Sequence, residues 1–198
     1  MPPPHAAGTG EKKMQTSLMT KPRPSDLGVL GFRYLGSHEV EELADLWGAL
    51  HQRHTVTAPH LQEIIGTMSL EESWRRRRAQ YLQWLRDPGT MAILAEHDGD
   101  LAGYAMVTIR DNALGSWDRG DRVAVVQTFA IDPEYTGTGV GSKLLEEMRN
   151  QLGSSGVRDI EFSALATSSE DIGFLEEEGF QPLTTTMVCR VGGLGAHD

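Results

Sequence analysis

The sequence predicts an α/β domain built around a mixed sheet. One observation is the alternation of strand-like and helix-like apolar periods along the chain. It gives the order strand, two helices, three strands, helix, strand, helix, strand. A second is Asp98-Gly99 between two apolar runs, the signature of a tight hairpin. The third is composition: 39% hydrophobic and 23% charged residues suit a packed core rather than disorder.

Residues 1–24 hold Pro2, Pro3, Pro4, Pro22 and Pro24 with few large apolar side chains. Such a segment cannot bury enough surface to offset its ordering entropy, so it is expected to be a disordered arm ahead of a domain over 25–198. Val29, Leu30, Phe32 and Tyr34 suggest the first strand. Ser37 then reads as a helix N-cap, with Glu39, Glu41 and Glu42 in the following turn. Val40, Leu43, Leu46, Trp47 and Leu50 repeat at three and four residues, so one helical face is apolar.

From His51 to Ser69 the periodicity weakens, with a short helix suggested around Leu61 to Ile65. Ser73 to Asp87 reads as the second long helix, stopped by Pro88-Gly89. Met91 to Glu96 and Leu101 to Ile109 are the hairpin strands, and Asn112 to Asp121 a polar loop. Val123 to Ile131 is a β-branched run broken by Asp132-Pro133. A helix from about Gly141 to Leu152 would turn Leu144, Leu145, Met148 and Leu152 inward. Asp159 to Leu165, Glu170 to Glu178 and Leu183 to Val191 complete the series as strand, helix and strand.

Bulk properties exclude several function classes. The formal net charge is −10, a sign that repels nucleic-acid phosphates. No apolar run approaches the roughly 18 residues of a membrane span, and the first residues do not resemble a signal peptide. A soluble cytoplasmic protein is expected, with neither nucleic acid nor membrane as partner. Cys189 is the only cysteine, which rules out an internal disulfide and a cysteine-rich zinc site. His51, His54 and His60 are spaced so that only the first two share a helical face, and no metal is expected. Arg75 to Arg78 point in four directions around a helix and read as a solvated face, with Glu71 and Glu72 in pairing range.

The most informative segment is Thr136-Gly137-Thr138-Gly139-Val140-Gly141, between a strand and a helix. Glycines let the backbone approach an anion, and first-turn amides meet it with the positive end of the helix dipole. A nucleotide P-loop would need Gly-Lys-Ser/Thr, whereas the chain has Gly141-Ser142-Lys143. A dinucleotide fold would place its glycines directly after the strand, and Asp132 to Thr136 intervene here.

The run from Phe129 to Leu145, centred on these glycines, resembles the acetyl-CoA-binding segment of the GCN5-related N-acetyltransferase (GNAT) superfamily. Phe174-Leu175-Glu176-Glu177-Glu178-Gly179-Phe180 is similar to that family's late helix and its Gly-Phe ending. The order of elements agrees from about residue 29 to 191. The resemblance implies a mixed, mostly antiparallel central sheet flanked by helices, the acyl-CoA acyltransferase fold of that family. It implies acetyl-CoA as cosubstrate and direct attack by a primary amine of a small molecule or peptide on the thioester. Backbone groups of Phe129, Ala130 and Ile131 would then hold the pantetheine arm. The amides of Gly137, Thr138, Gly139, Val140, Gly141 and Ser142 would bind the pyrophosphate.

Thr136 stands where the family commonly has Arg or Gln, and Ser168 where an Asn often contacts the cofactor. Leu175 replaces a tyrosine that frequently protonates the leaving thiolate, and Val125 stands where some relatives place a glutamate base. Glu161, Glu96, His51, His54 and Tyr104 remain as proton-transfer candidates without a supporting motif, so the catalytic residues stay unassigned. A CoA-binding sensor or interaction module with little catalysis is the alternative. The family is also compatible with a homodimer.

Overall fold

The computed structural model describes residues 29–112 and 116–191. The arm expected over residues 1–24 lies outside the described residues. Five strands form one sheet in chain order, β1 (Leu30–Tyr34), β2 (Thr90–His97), β3 (Asp100–Asp111), β4 (Arg122–Ile131) and β5 (Asp159–Phe162). The first three pairings are antiparallel, and β4 with β5 is parallel. The sheet is therefore mixed and mostly antiparallel, as expected. Between β2 and β3, Asp98 (φ 53°) and Gly99 (φ 92°) form the two-residue turn, whose left-handed backbone matches the twist of the strands.

Helices cover both faces. On one lie α1 (Ala44–Thr57), the short α2 (Pro59–Ile64) and α3 (Leu70–Trp84); on the other lie α4 (Val140–Ser154) and α5 (Ser169–Glu177). The core is accordingly in two layers. Leu43, Leu46, Trp47, Leu50 and Tyr81 pack on Ala92, Leu94, Tyr104 and Met106. Behind the sheet, Leu144, Leu145, Met148 and Leu152 of α4 pack on Ile93, Ala105, Val107 and Val126.

Several boundaries move for physical reasons. Ser37 is not an N-cap: a 3-10 helix runs Ser37–Leu43 ahead of α1, and its entry is closed by the Gly36 amide donating to Glu39 Oε2 at 2.6 Å. Helix α3 begins earlier than expected because Ser69 caps it, its hydroxyl accepting from the Glu72 amide at 3.3 Å. Glu72 receives both Arg75 and Arg76, and hydrogen bonds from them hold its carboxyl at about 2. Arg78 pairs with Glu41, and Arg77 lies over the Trp47 ring at 4.4 Å.

The largest difference concerns Leu183 to Val191. This segment is not a strand: it runs exposed and without ladder pairing, with Met187 87% exposed. A strand needs a partner ladder, and β5, with four residues, offers a short one. The segment is instead tied to α2, where Arg190 Nε donates to Ile64 O at 2.9 Å.

Candidate functional site

The site is centred on a change of partner along β4. Against β5, β4 is paired only from Val123 opposite Asp159 to Val126 opposite Phe162. Against β3 it carries a bulge, since Met106 pairs with Thr128 and Val107 with Val126, leaving Gln127 as the extra residue. The bulge reverses the phase of the strand. Val126 faces α4, whereas Thr128 and Ala130 face α1 and α3. Beyond the bulge, Thr128 to Ile131 continue along β3 while their other edge has left β5. That edge presents backbone donors and acceptors to the gap between the strands.

Aromatic rings line the gap on the α5 side. The Phe129 ring lies 5.4 Å from Phe162 and stacks on Phe174 at 6.1 Å with a 29° interplanar angle. On the opposite face, Tyr81, wholly buried, donates to Thr128 Oγ1 at 2.7 Å and meets the Tyr104 hydroxyl at 3.0 Å. Gln127 Nε2 donates to Thr108 Oγ1 at 2.8 Å. These bonds fix the bulge residue Gln127 and its successor Thr128.

Past Ile131 the chain turns through Asp132, whose carboxylate caps a 3-10 turn at Pro133–Tyr135 by accepting from the Glu134 amide at 2.8 Å. The glycine loop follows. Gly137 (φ 73°) and Gly139 (φ 93°) have left-handed backbone, a conformation that strains side-chain-bearing residues. Lys143 N donates to Gly139 O at 3.1 Å as α4 begins, so the amides of Val140, Gly141 and Ser142 precede any intrahelical acceptor. A turn of this kind concentrates donors and the positive end of a helix dipole, a setting for a phosphate group.

The other expected site residues divide between surface and scaffold. Thr136 is half-buried at the loop entrance. Thr138 turns inward at 1% exposure, with its amide and hydroxyl both on Tyr135 O at 3.2 and 2.6 Å. Val140 is fully buried in the α4 layer, leaving its amide as its polar offering. Ser168 is the N-cap of α5, its hydroxyl accepting from the Asp171 amide and donating to Asp171 Oδ2 at 2.7 Å. Ala130 is buried, and Ile131 packs partly buried toward α4.

Among the proton-transfer candidates, Glu161 is held by Arg110 and Arg119, each at 2.6 Å. Burial works to raise its pKa, but the hydrogen bonds from Arg119 and Arg110 prevail and keep the carboxyl below its ordinary value. Glu96 is bound by Arg33 at 2.7 Å. Tyr104 is fully buried, and burial drives its hydroxyl well above the ordinary value. Leu175 is buried in α5. Trp117 is exposed at 64%.

Sequence reasoning missed the bulge at Gln127 and the Tyr81–Tyr104–Thr128 chain. A signal for the bulge was present: Gln127-Thr128 is an adjacent polar pair inside an otherwise apolar run, which strict alternation does not produce. Nothing in the sequence joins Tyr81 to Thr128.

A five-stranded sheet with a parted strand pair and a glycine turn opening a helix is the frame of the candidate site. The model of the acetyltransferase (GNAT) family matches residues 61–180, more than half the chain, and the chain belongs to that family. No curated protein matches it in sequence. Among solved structures, a GCN5-related N-acetyltransferase from Ralstonia eutropha JMP134 is similar with TM-score 0.65 and 17% identity, over 83% of this chain and 100% of that one. The aminoglycoside N-acetyltransferase AAC(6')-Iy in complex with CoA gives TM-score 0.58 and 15% identity, over 81% and 98%. An acetyltransferase of Trypanosoma brucei gives 0.56 and 20%, over 82% and 100%. At these identities the structures establish the shared fold. Among the described residues no helix is long and apolar enough to cross a membrane.

Proposed function

We propose that the protein is an acetyl-CoA-dependent N-acetyltransferase that moves the acetyl group to a primary amine by direct attack. One observation carries the reading: the free edge of β4 past the Gln127 bulge leads, through the 3-10 turn at Pro133–Tyr135, into the glycine turn. In this reading the backbone of Phe129 to Ile131 pairs with the pantetheine arm as a missing strand would. The amides of Val140, Gly141 and Ser142, with those of Gly137 and Gly139, receive the pyrophosphate, while the Thr138 amide stays on Tyr135 O. Similar folds include an aminoglycoside N-acetyltransferase in complex with CoA, which supports acetyl-CoA as cosubstrate and an amine as acceptor. Backbone donors near the bulge would stabilise the developing oxyanion, and holding amine and thioester together would supply much of the acceleration.

Calorimetry with acetyl-CoA tests binding, and thiol release against a panel of primary amines tests transfer. The reading expects saturable binding at one site per chain and turnover of at least one amine. No binding would sink it. Binding without turnover would favour a CoA-binding module, the reading that Leu175 and Val125 support because neither can exchange a proton.

A further inference from the structure

Helix α1 carries an inward stripe of Trp47 and Leu50, both buried, and ends toward buried Ala58. His54 lies four residues beyond Leu50 and seven beyond Trp47, so it continues that stripe and is half-buried. From the same turn, Arg53 Nη2 donates to Asp171 Oδ1 at 2.8 Å. Asp171 sits in the first turn of α5, and α5 lays Phe174 on Phe129 beyond the β4 bulge. Arg53 thus ties the C-terminal end of α1 to α5, the helix whose Phe174 lines the gap between β4 and β5. Three of the other candidates are engaged elsewhere, Glu161 with two arginines, Glu96 with Arg33 and the Tyr104 hydroxyl with Tyr81, and His51 lies one turn earlier on α1, before the turn that Arg53 ties to α5.

The surroundings of His54 favour a neutral imidazole. Burial pushes its pKa below the ordinary 6.5, and the charge of Arg53 acts in the same direction. His51 on α1 and Arg77 on α3 add to this, while Asp171 on α5 opposes it. Asp171 is itself committed to Arg53. The result is an unprotonated base at neutral pH with no side-chain partner of its own among the hydrogen bonds of the described residues.

We propose that His54 is the general base of the acyl transfer. The inference rests on the acetyltransferase reading above. As the amine nitrogen bonds to the acetyl carbonyl carbon, an imidazole nitrogen of His54 takes the nitrogen's proton. The carbon–sulfur bond breaks, its electron pair stays on sulfur, and His54 releases the proton to solvent. The CoA thiolate leaves as an anion and is protonated by water, so Leu175 is no obstacle.

The test compares the wild-type chain with His54→Gln and His54→Ala. Acetyl-CoA binding is measured by calorimetry, and thiol release with spermidine, kanamycin and a lysine-containing peptide. Both variants are expected to bind acetyl-CoA within about twofold of wild type while kcat/KM falls about 10²–10⁴-fold, the range for losing a general base. The acid limb of the wild-type kcat/KM profile, lying below pH 6.5, should vanish in His54→Gln. Added imidazole should restore activity to His54→Ala, which a merely structural role for the side chain would not allow. Wild-type turnover by His54→Gln, or an unchanged acid limb, overturns the role of His54 and leaves the acetyltransferase reading standing. A wild-type chain that binds acetyl-CoA but acetylates none of the three amines overturns both.

Discussion

The ring of Phe174 closes over Gly141: a Cβ built on that glycine would lie 3.4 Å from Phe174 Cζ and 3.6 Å from Cε2. That is ordinary contact, and Gly141 has no left-handed backbone, whereas Gly139 has φ 93° with open space around it. Of these two glycines, Gly141 has room and backbone for a side chain, whereas Gly139 has the room without the backbone. Gly141→Ala should fold normally and gain up to about 1 kcal/mol from lower chain entropy. Gly139→Ala should lose about 1–2 kcal/mol to left-handed strain. Thermal melts of the two variants check the opposite signs, and equal shifts would contradict the account.

The Tyr81 hydroxyl serves two buried groups, Thr128 Oγ1 and Tyr104 OH, while Tyr104 OH has Tyr81 as its partner. Tyr81→Phe leaves Thr128 Oγ1 without its donor, so it should cost about 1–3 kcal/mol, the penalty of an unsatisfied buried group. Tyr104→Phe leaves the Tyr81–Thr128 bond intact and should cost about 0.5–1.5 kcal/mol. Urea midpoints give the ranking directly. Because Thr128 follows the bulge, Tyr81→Phe should also weaken acetyl-CoA binding more than Tyr104→Phe does.

Periodic and local features were legible in the sequence, and non-local ones were not. The stripe of Leu144, Leu145, Met148 and Leu152 fixed α4 because a buried helix face repeats in the chain itself. The Asp98-Gly99 hairpin was legible because a two-residue turn has its own chemistry. Leu183 to Val191 was misread because β-branched residues suit a strand but do not supply a partner for it. The glycine loop could be read as a phosphate turn, yet the inward rotation of Thr138 could not, since it depends on Tyr135 O. Arg53 and Asp171 are separated by 118 positions, and only the folded chain brings them together.

Acid should expose the burial of His54. Its folded-state pKa lies below the ordinary 6.5, so below that pH the unfolded chain takes up a proton that the folded chain refuses. Stability is therefore full above 6.5 and is lost as pH falls from there through the folded value. Wild type should lose more stability than His54→Gln between pH 7.5 and 5.5, read as the difference in their urea midpoints. Parallel pH dependence in the two proteins would show that His54 titrates as an exposed histidine.

Gly103 provides the sharpest steric test of the β4 edge. It pairs with Ile131, and a Cβ there would come 2.7 Å from Ile131 Cδ1 and 2.8 Å from Ala130 O. The side-chain tip can swing away, but the carbonyl oxygen belongs to the strand backbone. Gly103→Ala must therefore push β4 at Ala130, within the segment proposed to hold the pantetheine arm. Overpacking of this kind costs about 1–3 kcal/mol, and the displaced strand should bind acetyl-CoA more weakly. Gly31→Ala in the same sheet is the control, because its Cβ would meet nothing nearer than Glu96 O at 3.9 Å. That variant should be unchanged or more stable by up to about 1 kcal/mol, as expected for Ala replacing Gly inside a strand. Thermal melts and calorimetry on the pair separate the two effects. If Gly103→Ala loses stability yet keeps wild-type acetyl-CoA affinity, the cofactor does not lie along Phe129 to Ile131.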